Sequence, residues 1–177
     1  MYATTTRCLL AGLGLALAAN SHAATSTGTL NSTLTLTAAC QVNGGTGTSG
    51  LDFGTLDFGT QDALFASADG QVLGTGGGAL SVLCSAGTIP EVRVLAGSND
   101  GASEGGTRAL ADGSGNFVPY DFYTDTGRTQ LLGIGDPITL ATSTGVAQTV
   151  ELYGRALGKP GLPAGVYSDT VAVELSF

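Results

Sequence analysis

Two pairs of aspartates lie close enough along the chain to share a site: Asp52 with Asp57, and Asp121 with Asp125. Two carboxyl groups at the right separation are the machinery of glycoside hydrolysis, one acting as acid and the other as base or nucleophile. Both pairs sit among turn residues in an acidic chain, so solvated surface is the simpler reading. Asp121-Phe-Tyr-Thr-Asp125 lacks the ligand spacing and the glycine of an EF-hand loop. Gly74-Thr-Gly-Gly-Gly78 has the glycine content of a phosphate-cradling loop, but no Lys and Ser/Thr follow it and no helical pattern begins there. A flexible hairpin connection is expected instead.

The single histidine, His22, lies in the N-terminal apolar segment, which is expected to be removed. The remainder then has no imidazole to serve as general base or metal ligand. It also has no Gly-x-Ser-x-Gly elbow. The expectation is a protein that is not an enzyme, with no catalytic residues, no cofactor and no metal site.

Arg7 after a short polar start, the apolar run from Cys8 to Ala19 and the small residues of Ser21-His22-Ala23 have the layout of a signal peptide, residues 1–23. The apolar run is short for a membrane span. Cleavage after Ala23 removes Arg7, leaving five basic residues against fourteen acidic ones, so the formal charge moves from −8 to −9. The five cations, Arg93, Arg108, Arg128, Arg155 and Lys159, are scattered singly. Phosphate binding needs clustered positive charge, so nucleic acid is not an expected partner. Cleavage also removes Cys8 and leaves Cys40 and Cys84, an even pair that reads as one disulfide in an exported chain. Loop-closure entropy gives such a bridge a stabilising contribution of roughly 4 kcal/mol.

The elements that must position these residues are strands. Twenty-nine glycines, many Ser and Thr, and a turn signal every ten residues or so indicate short strands joined by turns. Strands are expected over 28–38, 51–59, 71–84, 90–96, 117–124, 137–141, 146–153 and 166–177, with 97–115 a mobile surface loop. Leu51-Asp-Phe-Gly-Thr55 is repeated directly as Leu56-Asp-Phe-Gly-Thr60, a local duplication or a strand with a bulge at Gly54. The pattern suggests an all-β, immunoglobulin-like sandwich of one domain.

Two of these strands stand apart. Gly28–Thr37 alternates so that Leu30, Leu34 and Leu36 share one face, with Ser32 the polar break in the row. Such a leader can complete its own sheet or a neighbour's. At the other end, Val171, Val173, Leu175 and Phe177 share one face of a strand that runs to the last residue. Nothing after that strand is expected to cover its outer edge.

These pieces together resemble the spore coat protein U domain family, whose members include pilins of archaic (Csu-type) chaperone–usher pili. The matching segments are the Gly28–Cys40 leader, Phe58-Gly59, Ala79–Cys84, Thr107–Leu110, Tyr120–Asp125, Tyr153-Gly154-Arg155 and Gly165–Thr170 with the alternating tail to Phe177. Departures are Leu131–Ile134, where many relatives carry an aromatic residue, and Ser32 in a row that is usually apolar throughout. The resemblance implies an incomplete immunoglobulin-like sandwich, residues 39–177, and an N-terminal donor-strand extension, residues 24–38. A periplasmic chaperone would first lend a strand. At the outer-membrane usher the extension of the next subunit would replace it, building a head-to-tail fibre of identical or related pilin subunits at the cell surface.

On that basis Leu30, Ser32, Leu34 and Leu36 form the donor row, and Val171, Val173, Leu175 and Phe177 border the acceptor groove. A fibre of this kind implies adhesion and biofilm formation. Two alternatives stay open: a self-complemented monomeric coat or envelope protein, and a minor adhesive subunit.

Overall fold

Alternating apolar residues broken by glycine turns give short strands in the computed structural model, which describes residues 24–177. The expected signal peptide, residues 1–23, lies outside the described residues. The strands are β1 (Cys40–Val42), β2 (Gly45–Thr46), β3 (Thr55–Leu56), β4 (Ser67–Leu73), β5 (Ser81–Cys84), β6 (Glu91–Gly97) and β7 (Arg108–Ala111). They continue as β8 (Phe117–Tyr123), β9 (Leu131–Leu132), β10 (Pro137–Thr139), β11 (Gln148–Thr149), β12 (Tyr153–Leu157) and β13 (Val171–Ser176). Among the described residues the single helical element is a 3-10 turn at Thr75–Gly77.

The strands pair antiparallel throughout, in three groups ordered β11-β5-β1-β2, β10-β6-β13 and β3-β4-β12-β8-β7, with β9 also on β8. Their inward faces meet in one buried cluster. Val42 and Val82 come from the first group, Val92 and Val94 from the second, and Val72, Val118, Phe122 and Ala156 from the third. This is an all-β sandwich of the immunoglobulin-like kind, with period-2 alternation supplying the core-facing side chains. Cys40 and Cys84 sit directly opposite each other on β1 and β5 and form the expected disulfide.

The chain divides into two units, Met1–Thr35 and Leu36–Phe177. The described part of the first carries no strand, contrary to the expectation of one over 28–38. Leu30 and Leu34 there are 91% and 83% exposed. A strand needs a neighbour for its backbone groups, and alternation alone does not provide one.

Other boundaries also differ from the sequence pattern. The expected strand 71–84 is cut into β4 and β5 by the Gly74–Gly78 run, where Gly74 N donates to Gly78 O at 2.7 Å. The expected strand 146–153 divides into β11 and the start of β12, and the last strand begins at Val171 rather than at 166. The segment 97–115 is not simply a surface loop, because it contains β7, with Arg108 wholly buried. A strand written Arg-Ala-Leu-Ala shows no alternation, and its leading arginine reads as a surface residue.

Candidate functional site

Among the described residues, strand β13 pairs on one side only. Its ladder with β6 places Val171 opposite Gly97, Val173 opposite Val94 and Leu175 opposite Val92. No other strand among the described residues pairs with its outer edge. Val171, Val173 and Leu175 are half-buried and pack on the core, whereas Ala172, Glu174 and Ser176 point to solvent. Phe177 follows the last paired residue and is 56% exposed.

Beside that open edge runs a groove of about 530 Å³. Val171 and Val173 form one wall; Leu51, Phe53, Leu56 and Phe58 form the other. Val72, Val92, Val94, Phe122 and Leu152 lie beneath it. The second wall is the duplicated segment, and both copies make the same turn. Asp52 Oδ1 accepts Gly54 N at 2.8 Å, and Asp57 Oδ1 accepts Gly59 N at 2.7 Å. Each aspartate hydrogen-bonds the backbone two residues on, which turns the chain and sends the following residues back toward the core. Gly54 has φ +105°, and a Cβ there would collide with the Leu73 carbonyl. The duplication therefore repeats a turn rather than a bulged strand. Only Thr55 and Leu56 enter a ladder, with Leu73 and Val72.

One end of the groove is polar. Tyr120 and Asp169 both line it, and the Tyr120 hydroxyl donates to Asp169 Oδ2 at 2.8 Å. Burial, then the hydrogen bond to Asp169, holds the Tyr120 hydroxyl far above the usual tyrosine range. Asp169 Oδ1 also accepts Ser98 N at 2.9 Å and Asn99 Nδ2 at 3.1 Å.

Behind this pair lies Arg108, 0% exposed. Its Nη1 donates to Leu95 O at 2.8 Å and its Nη2 to Val94 O at 3.2 Å. Its guanidinium sits 5.1 Å from the centre of the Phe122 ring, and its charge is opposed by Asp100 at 3.7 Å. The β6–β13 register shifts between Val171 and Val173. Arg108 thus ties down the backbone of β6 just where its ladder to the groove strand is irregular.

The carboxylate pairs singled out for chemistry are engaged in structure. Asp52 also accepts Thr75 Oγ1, Asp121 Oδ1 accepts Thr107 N at 2.7 Å, and Asp125 accepts Thr129 N and Gln130 N at 2.9 and 2.7 Å. Those backbone and hydroxyl donors, Gln130 N first, hold the Asp125 carboxyl below the usual range. A carboxylate committed to several donors is a poor proton shuttle. On the outer face of the third strand group, Arg155 makes a two-pronged pair with Asp69 at 2.7 and 3.0 Å, and Arg128 approaches the same carboxylate at 3.3 Å.

Of the residues expected at the groove, Val171 and Val173 line the cavity and Leu175 packs on the core further along β13. Of the expected donor row, Ser32 and the three leucines are exposed. Sequence reasoning missed the set formed by the buried Arg108 and Tyr120 with the half-buried Asp100 and Asp169.

The family model described as Spore Coat Protein U domain matches residues 26–174, so the chain belongs to the spore coat protein U domain family. Protein U of Myxococcus xanthus is 28% identical over 185 residues, covering 98% of this chain and 97% of that protein. A chain in the chaperone–tip adhesion subunit pre-assembly complex of archaic chaperone-usher Csu pili from Acinetobacter baumannii is similar with a TM-score of 0.49 and 19% identity. That match covers 81% of this chain, which spans 40% of the solved chain's length.

Proposed function

We propose that this member of the spore coat protein U domain family is a structural pilus subunit that polymerises by donor-strand exchange. The observation that carries the reading is the edge of β13, unpaired among the described residues, beside an open groove with an apolar floor. An exposed strand edge over an apolar trench is an aggregation hazard unless a partner covers it. Strand addition answers both needs at once: backbone pairing gives affinity, and alternate side chains filling the trench give register. The occupant is the leader of a second copy, with Leu30, Leu34 and Leu36 as the inserted side chains. Burying three leucines contributes about 5–9 kcal/mol before ordering costs.

A head-to-tail contact of this type does not close on itself and makes a fibre. Before assembly a periplasmic chaperone would lend the covering strand, and an outer-membrane usher would be the place of exchange. The fibre would stand on the cell surface and support adhesion and biofilm formation. Tight commitment of the aspartates to turns supports a structural rather than a catalytic role.

Deleting residues 24–37 should leave a folded domain that is soluble only with its chaperone and forms no fibres. Leu34→Asp should block assembly while leaving the sandwich folded. Fibres formed by either variant, seen by electron microscopy, would contradict donor-strand exchange. The self-complemented coat-protein reading draws on the family's description and on a match to Protein U over nearly the full length of both chains. It predicts instead a mature chain that stays a stable monomer at any concentration.

A further inference from the structure

We infer that a pair of facing glycines, Gly70 and Gly154, forms a notch that seats Leu56 and so sets how far the 51–58 wall stands from β13. Leu56 is then a positioning residue for the strand that enters the groove. The identity of that strand, the leader of a second copy, rests on the function proposed above.

Glycine in the middle of a sheet weakens it, so two of them in direct register ask for a reason. Gly70 of β4 lies directly opposite Gly154 of β12. By alternation both share the inward face with Ala68, Val72, Leu152 and Ala156, all of them buried. A Cβ on Gly154 would overlap the Cδ2 of Leu56; one on Gly70 would meet Asp57 O at 2.7 Å and Leu56 Cδ1 at 2.8 Å. Leu56 therefore fills the space that two missing side chains leave.

The notch is held from behind as well. Arg128 reaches it from the outer face, beside Asp69 and over the Tyr153 ring. Its Nε donates to Gly154 O and its Nη2 to Gly70 O, both at 3.0 Å. One arginine thus staples the two glycine carbonyls while one leucine packs on their other side. The wall's other fixed points are the two ladder pairs of β3, the Asn43 and Thr75 side chains donating to Asp52, and Phe58 set edge-on to Tyr120. Leu56 itself lines the groove with Val72 and Leu152. Moving Leu56 out of the notch must move groove surface.

Gly154 is the better probe, because the atoms nearest a methyl group there all belong to the Leu56 side chain, whereas one at Gly70 also strikes backbone. The experiment uses the full mature chain, residues 24–177, and a fluorescein-labelled peptide of residues 28–38. Peptide release is followed after competitor addition, alongside a thermal melt of each variant. Wild type should bind and release slowly. Gly154→Ala should melt close to wild type yet release the peptide at least about tenfold faster, since losing the fit of one leucine is worth that much.

Leu56→Ala should also speed release, with a lower melting temperature from the emptied notch, and the double variant should release no faster than Leu56→Ala alone, because both changes act through one side chain. Wild-type release from a folded Gly154→Ala protein, or additive effects in the double variant, would overturn the inference. Should Gly154→Ala fail to fold, Leu56→Val makes no demand on the backbone and must also speed release; unchanged release overturns the inference. If the peptide does not bind wild-type chains diluted from denaturant into excess peptide, before they can assemble, the donor-strand reading falls and this inference falls with it.

Discussion

The two walls of the groove are built on opposite principles. Strand β13 is a rail: five ladder pairs tie it to β6, and the buried Arg108 fixes the β6 backbone where that ladder is irregular. The facing wall, residues 51–58, has two ladder pairs, two aspartate-capped turns and one leucine lodged over glycines. A rail supplies a fixed row of backbone donors and acceptors, which suits strand addition. The facing wall is held chiefly by turns and side-chain packing, so its position follows from what Leu56 and its neighbours rest on. The difference teaches that register belongs to β13 and fit belongs to the duplicated segment.

The sharpest way to break this contrast is to remove the support behind the rail. Arg108→Met keeps volume but takes the guanidinium donor from the Leu95 carbonyl, leaves Val94 O with Gly135 N, and leaves Asp100 without its cation. Breaking a buried ion pair from one side costs about 3–5 kcal/mol. Urea unfolding of the mature chain should show a loss of that order; a loss below about 1 kcal/mol would mean that the ladder alone holds β13.

A smaller effect is expected at the polar end of the groove. Tyr120→Phe removes the hydrogen bond to Asp169 and should cost about 1–2 kcal/mol at neutral pH. The hydroxyl's folded value is raised, first by burial and then by Asp169. Its contribution is therefore complete below about pH 10, where an unfolded tyrosine ionises, and is lost as pH rises above that. Stability of wild type should fall more steeply than that of Tyr120→Phe as pH rises above about 10; parallel curves would exclude this group as the cause.

The smallest effect lies behind the facing wall. The Asp69 carboxyl is held below the usual range, chiefly by the hydrogen bond from Arg155, with burial opposing and Arg128 assisting. A depressed carboxylate contributes above its unfolded value near 3.8 and loses that contribution as pH falls through the lower folded value. The carboxylate is largely solvated, so Asp69→Asn should cost well under about 1 kcal/mol, and less in high salt. An effect as large as that of Arg108→Met would show that the staple behind Gly70 and Gly154 matters as much as the rail.

Much of this architecture is legible in the residues, and what is not has a physical cause. Val171, Val173 and Leu175 announce a half-buried strand by alternation, and Cys40 and Cys84 announce their bridge by number and compartment. The leader's leucines alternate just as clearly, yet they form no strand, because alternation specifies a face and not a partner. Arg108 is hidden because burying a cation depends on carbonyls at Val94 and Leu95 and on a ring at Phe122, all distant in sequence. The seat of Leu56 is hidden for a similar reason: Gly70 and Gly154 resemble ordinary turn glycines until the β4–β12 register places them face to face.

The central claim is that the leader of one copy pairs with β13 of another. Two separate chains test it most directly, one carrying Leu34→Cys and the other Val173→Cys, assembled together and oxidised. Donor-strand exchange predicts a covalent dimer joining the two different chains through residues 34 and 173, identified by mass spectrometry. Absence of that cross-link in assembled fibres, or its formation only within a single chain carrying both changes, would contradict it.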